Sequence, residues 1–175
     1  VKTLLSEAEI RATVARLAGQ LNSDYAGRPL TLIGVMTGSI VVMADLIRLL
    51  SMPLRVGVVQ ASSYRGGTTR GELSINAEMM PDIAGREVLL VDDIFDTGHT
   101  MVEVVRLMNQ LEPTSLRTAV LLLKEGRQAV SLQPDYVAFR IPDEFVVGYG
   151  LDYQDEYRNL SFIAALEPAD IARHS

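Results

Sequence analysis

The chain has 175 residues, 48% of them hydrophobic and 22% charged. That suits one domain with one main core and excludes a disordered chain. The formal net charge of −6 argues against a general nucleic-acid or membrane-surface binder, which normally presents a basic face. Cysteine is absent, so neither a disulfide framework nor a Cys-based zinc site is possible. No apolar run approaches the ~18 residues of a membrane span. VKTLLSEAEIRATV has no long apolar core before a cleavage site, so no secretory signal is expected and a cytoplasmic location is.

In chain order, Ser6 and Glu9 have capping-box spacing, and Ile10, Val14, Leu17 and Leu21 share one helical face. Leu30 to Met36 reads as a buried strand, broken by Thr37-Gly38-Ser39, and Ile40 to Leu50 as a helix. Leu54 to Ala61 and Glu87 to Val91 read as strands, with a helix from about Thr100 to Leu111. Ser115 to Leu123, Tyr136 to Ile141 and Phe162 to Leu166 are further strand candidates. Strands alternating with helices predict a central, mostly parallel α/β sheet. Ser62 to Pro81, rich in Gly, Thr and Ser, reads either as a binding lid or as a solvated hairpin. Ile141 to Arg158, with two Gly, three Tyr and five acids, reads as an edge hairpin or a pocket floor.

The stretch VLLVDDIFDTGHTM, Val88 to Met101, carries the chemistry. Ligands of open parallel sheets bind beyond the carboxyl ends of strands, where Asp92 and Asp93 fall. Side chains alternate along a strand, so one acid can face a ligand while the other supports the loop or a metal. Asp96-Thr97-Gly98-His99-Thr100 then leads into a helix whose first N–H groups are free to bind an anion. Acids beside such a nest suit a sugar phosphate: the nest takes the phosphate, and the acids accept from the sugar hydroxyls. His99 and His174 lack the spacing of a zinc site.

VLLVDDIFDTGHT resembles the phosphoribosyl-pyrophosphate motif of the type I phosphoribosyltransferases. LLLKEGR, PDYVAFRIPDEFVVGYGLDYQDEYRNL and the loop starting SSY narrow the resemblance to the hypoxanthine-guanine branch. It spans roughly Leu30 to Leu166 and implies the type I fold: one domain with a mobile loop at about 62–81 and a purine-binding hood mainly at 136–175. The activity implied is transfer of 5-phosphoribosyl from 5-phosphoribosyl-1-pyrophosphate (PRPP) to N9 of a 6-oxopurine, giving IMP or GMP and pyrophosphate.

The same resemblance implies residue roles. Asp92 and Asp93 match the acidic pair at the ribose, and Asp96 the general base near purine N7. Asp96, Thr97, Gly98, His99 and Thr100 match the 5′-phosphate loop, with His99 where relatives often carry Lys. Lys124 matches the lysine that reads the 6-oxo group, and Phe145 the aromatic stacked on the base. Val146 matches a backbone contact to the purine, Leu151 lies beside it, and Asp152 joins that pocket. Thr37, Gly38 and Arg158 match the pyrophosphate site, with Thr37 where relatives commonly carry Lys or Arg. That loop in relatives can include a non-proline cis peptide. Ser63 and Tyr64 match the start of the closing loop. Mg²⁺ is the implied cofactor, with Asp92, Asp93 and Asp152 as candidate ligands. A homodimer or homotetramer is expected. A xanthine-preferring enzyme and a nucleotide-sensing RNA-binding regulator on the same fold are the alternatives.

Overall fold

The computed structural model describes residues 1–63 and 73–173. Tyr64, the rest of the expected closing loop through 72, and His174 lie outside the described residues. The chain order is β1 (Lys2–Leu5), α1 (Glu7–Tyr25), β2 (Leu30–Met36), α2 (Ile40–Leu49), β3 (Leu54–Ser63), β4 (Leu73–Asn76), β5 (Glu87–Phe95), α3 (His99–Asn109), β6 (Ser115–Lys124), β7 (Tyr136–Ile141), β8 (Val146–Val147), β9 (Ile163–Ala165) and α4 (Pro168–Ala172).

Alternation along each strand builds the core on both faces of the main sheet. Leu32, Leu89 and Val91 point to one face, where Ile10, Val14, Leu17 and Leu21 of α1 and Val42, Met43 and Leu46 of α2 cover them. Ile33, Val88 and Leu90 point to the other, under Met101, Val104 and Met108 of α3. The predicted capping box starts α1: Glu9 N–H donates to Ser6 Oγ, and Ser6 N–H to Glu9 Oε1, both at 3.2 Å.

The six strands of this sheet run in the order β4-β3-β2-β5-β6-β7. All neighbours are parallel except β3 and β4. From β2 the chain winds outward to β3, and from β5 it winds the opposite way to β6 and β7. The strand order therefore reverses between β2 and β5, the place where a parallel sheet opens a crevice at its carboxyl edge.

One segment takes a form the sequence reading allowed, and two elements depart from the sequence expectation. Leu73–Asn76 pairs antiparallel with β3, so the described ends of the Ser62–Pro81 segment are the arms of a hairpin. Strand β7 belongs to the main sheet, not to the hood. A separate three-stranded sheet runs in the order β1-β9-β8, and the N-terminal strand joins it by pairing with β9. β1 and β8, short and with partners far apart in sequence, leave no local periodicity to read, whereas β9 falls inside the expected strand Phe162 to Leu166.

Candidate active site

The two ends facing the crevice are built differently. β5 pairs with β2 only from Val88 to Val91, but with β6 as far as Phe95. Asp92 and Asp93 therefore project past the β2 pairing while β6 still holds them. The strand runs four residues further than the sequence pattern suggested, because the acids sit inside it. On the other side, β2 ends in a cis peptide between Met36 and Thr37. Gly38 then packs so close to Asp93 that a side chain on Gly38 would collide with the carboxylate.

Both acids line the same cavity. Asp92 is buried and its Oδ1 accepts from Asp93 N–H at 2.8 Å; Asp93 Oδ1 accepts from Ile94 N–H at 2.8 Å. Burial, and next the Asp93 charge, push the Asp92 carboxyl well above the usual range. Burial raises Asp93 as well, against the lowering effects of its hydrogen bond with Asp92, the Ile94 N–H and the Arg158 charge. A burial penalty thus weighs on the charged form of both acids. Hydroxyl donors or a cation would relieve it.

That cavity has a volume of about 310 Å³. Thr37, Gly38, Asp96, Thr97, Gly98, Thr100, Asp152 and Arg158 also line it, uniting the expected pyrophosphate, ribose and 5′-phosphate residues. Gly98 caps α3 with φ 94°, and a side chain there would strike a Val130 methyl. Helix α3 has eleven residues, and its first turn carries N–H groups with no intrahelical acceptor. Arg158 donates to the Gly150 carbonyl at 2.7 Å and pairs with Asp152 at 3.2 Å. His99 is exposed and does not line the cavity. Ser63 ends β3 on the same edge of the sheet.

A second cavity of about 200 Å³ opens beside the first. Lys124, Phe145, Val146 and Leu151 line it, together with Asp93, Ile94, Asp96 and Asp152, which the two cavities share. Phe145 is 50% exposed, an unusual state for a Phe, and meets Tyr153 edge to face at 5.4 Å. Lys124, last residue of β6, is buried along its stem, with Nζ 5.9 Å from the Phe145 ring centroid. Nζ also lies 3.8 Å from Asp96 Oδ2 and 3.9 Å from Asp143 Oδ1.

Arg127, Asp143 and Tyr153 are the contacts that sequence reasoning did not single out. Arg127 belongs to the LLLKEGR stretch and donates from Nε to Asp96 Oδ1 at 2.9 Å. Its place three residues after Lys124, across a glycine turn, was the available signal.

The acidic residues fit a hard divalent ion only in part. Among the described residues no three acidic or histidine side chains converge into a cage. Mg²⁺ commonly takes one or two carboxylates, with waters and phosphate oxygens completing its shell, and the all-oxygen donors of Asp92, Asp93 and Asp152 suit that arrangement.

The model of the phosphoribosyl transferase domain matches residues 1–154. The hypoxanthine-guanine phosphoribosyltransferase of Streptococcus pneumoniae is 41% identical over 167 residues, covering 95% of this chain and 93% of the relative. Its Staphylococcus aureus counterpart is 39% identical over 168 residues, covering 95% and 94%. A crystal structure of a Bacillus anthracis hypoxanthine-guanine phosphoribosyltransferase superposes with a TM-score of 0.90 at 38% identity, covering 95% of this chain and 99% of that one. The Trypanosoma cruzi hypoxanthine phosphoribosyltransferase in complex with IMP superposes with a TM-score of 0.88 at 39% identity, covering 96% and 95%. Sequence, sheet order and the acid-lined crevice agree: the chain belongs to the phosphoribosyltransferase family, in its hypoxanthine-guanine branch.

Proposed function

We propose that the chain is a purine salvage enzyme that transfers 5-phosphoribosyl from PRPP to N9 of hypoxanthine or guanine, giving IMP or GMP and pyrophosphate. One observation carries this reading. A polar cavity with an anion nest adjoins a smaller one with an exposed Phe and a buried Lys, and Asp93, Ile94, Asp96 and Asp152 line both. A donor in the first and a base in the second would meet at these shared residues.

In this reading the Asp96–Thr100 backbone and hydroxyls bind the 5′-phosphate, and Asp92 and Asp93 accept from the ribose hydroxyls. Arg158 and the Thr37-Gly38 backbone bind pyrophosphate. Lys124 donates to the purine 6-oxo group, Phe145 stacks on the ring, the Val146 backbone reads its edge, and Leu151 packs beside it. Asp96 takes the N7 proton, which leaves N9 more nucleophilic toward C1′ as the bond to pyrophosphate breaks. Mg²⁺ held by Asp152 and the Asp92–Asp93 pair would neutralise charge gathering on the leaving group. Exclusion of water by the segment beginning at Ser63 and Tyr64 would protect PRPP from hydrolysis.

The chain acts in the cytoplasm as a homodimer or homotetramer. Ile40 and Leu49 of α2 support assembly: they are 49% and 45% exposed, and Ile40 follows directly on the Thr37–Ser39 turn. The net charge of −6 counts against nucleic acid as a partner.

A purine panel tests the activity. Hypoxanthine and guanine should be converted with PRPP and Mg²⁺, adenine should not, and removing Mg²⁺ should abolish turnover. Equal use of adenine would overturn the assignment of Lys124, and preferential use of xanthine would favour the xanthine enzyme.

A further inference from the structure

Asp96 is held from outside its own motif. Arg127 Nε donates to Asp96 Oδ1 at 2.9 Å, and Lys124 Nζ lies 3.8 Å from Oδ2, so the two carboxylate oxygens face different cations. Asp143 lies 3.9 Å from Lys124 and 3.8 Å from Arg127, closing a ring in which the four charges alternate. The backbone around Arg127 is fixed. Gln128 donates to the carbonyls of Lys124 at 2.5 Å and Asp96 at 3.2 Å. Ala129 N–H donates to the Thr97 carbonyl at 2.9 Å. The turn after β6 is thus stapled to the phosphate loop and aims the guanidinium at Asp96.

We propose that Arg127 is a positioning residue for the transfer: by holding Oδ1 it presents Oδ2 of Asp96, beside Lys124, to the purine edge that carries the N7 proton. This rests on the reading of Asp96 as base and Lys124 as the purine contact. The Asp96 side chain is 37% exposed, so its orientation needs an external restraint. A guanidinium supplies one through directional N–H groups, which an ammonium does not match. In the step itself the N7–H bond breaks and an O–H bond forms on Oδ2. The N9 lone pair forms the bond to C1′, and pyrophosphate leaves with the electrons of its C1′–O bond. As Asp96 loses its charge, Asp143 remains as counter-ion to both cations.

The test is a double-mutant cycle read in kcat and KM. R127M should lower kcat about tenfold or more while the PRPP KM stays within about twofold, since misplacing a reacting group acts on turnover. R127K should recover only part of that loss. In an Asp96→Asn background, R127M should lower kcat by less than about twofold, because the group it positions is already gone. The same fold-loss in both backgrounds, or no loss in either, would overturn the inference while leaving the base assignment intact. Near-normal turnover of Asp96→Asn alone would overturn the base assignment and this inference with it. Arg127 is 45% exposed on a surface turn, and R127K repeats the cycle should R127M fold poorly.

Discussion

The Lys124 ammonium carries three N–H donors and no acceptor, so it complements a 6-oxo group and leaves a 6-amino group without a partner. Lys124→Ala should raise the KM for hypoxanthine on the order of tenfold or more and erode discrimination against adenine, with PRPP binding spared. Unchanged purine affinity in steady-state assays would show the pocket to be misplaced. Asp96→Asn keeps the side-chain shape but removes the proton acceptor, so turnover should fall about 10²-fold or more with the fold retained. Asp92 makes a different prediction. Its carboxyl ionises near its ordinary value of about 3.9 when unfolded and only at higher pH when folded, so the folded state binds more protons above that pH. Stability of the ligand-free protein should therefore fall as pH rises from about 4 through the raised folded value. Asp92→Asn removes the buried charge while its amide oxygen still accepts from Asp93 N–H. It should gain stability over the parent chain as pH rises from about 4 to 7, measured by urea denaturation; a pH-independent difference would contradict the argument. Asp92, Asp93 and Asp96 stood out because they lie in one contiguous acidic stretch, and Lys124 through the resemblance of LLLKEGR to the family alone. Arg127 and Asp143 did not, because they meet across two loops; the place of Arg127 three residues after Lys124 was the one local signal, and for Asp143 there was none.

At the scale of elements, the proposed phosphate loop depends on how β5 ends and α3 begins. Gly98 adopts φ 94° against Val130 and Phe95, where a side chain meets both strain and collision. Gly98→Ala should weaken binding of PRPP and of nucleoside monophosphate about tenfold, while a purine analogue binds with little change. Equal losses for all three would mean that the loop supports both cavities. Local signals were sufficient for α1, with its capping box, and for Tyr136–Ile141, whose bounds match the structure. They also located β9, which falls inside the expected Phe162–Leu166, and were insufficient for β8, with two residues, and for β1, whose partner lies at the far end of the chain. The small sheet consequently joins the chain after β7 to the N-terminal strand, an arrangement fixed by long-range pairing alone. Strand β5 was read too short because acids within a strand look like its end. Pairing to β6 sustains them there.

At the scale of the molecule, an acidic protein that binds polyphosphate must gather its attraction locally. In the proposed function Arg158 and the α3 N-terminus would supply it at one edge of the sheet, with a metal ion adding to them, and the overall charge of −6 then poses no obstacle. Assembly belongs to this scale as well. A double change of Ile40 and Leu49 to Glu should convert a sedimenting dimer or tetramer to a monomer if α2 forms the contact. An unchanged sedimentation coefficient would place the interface elsewhere. The central claim is that the two adjoining cavities are the halves of one nucleotide site. A crystal structure with IMP and Mg²⁺ tests it most directly. The phosphate should lie on the Asp96–Thr100 backbone, the ribose hydroxyls on Asp92 and Asp93, and the base against Phe145 with its oxo group on Lys124. A nucleotide bound outside these cavities, or with base and phosphate exchanged, would contradict it.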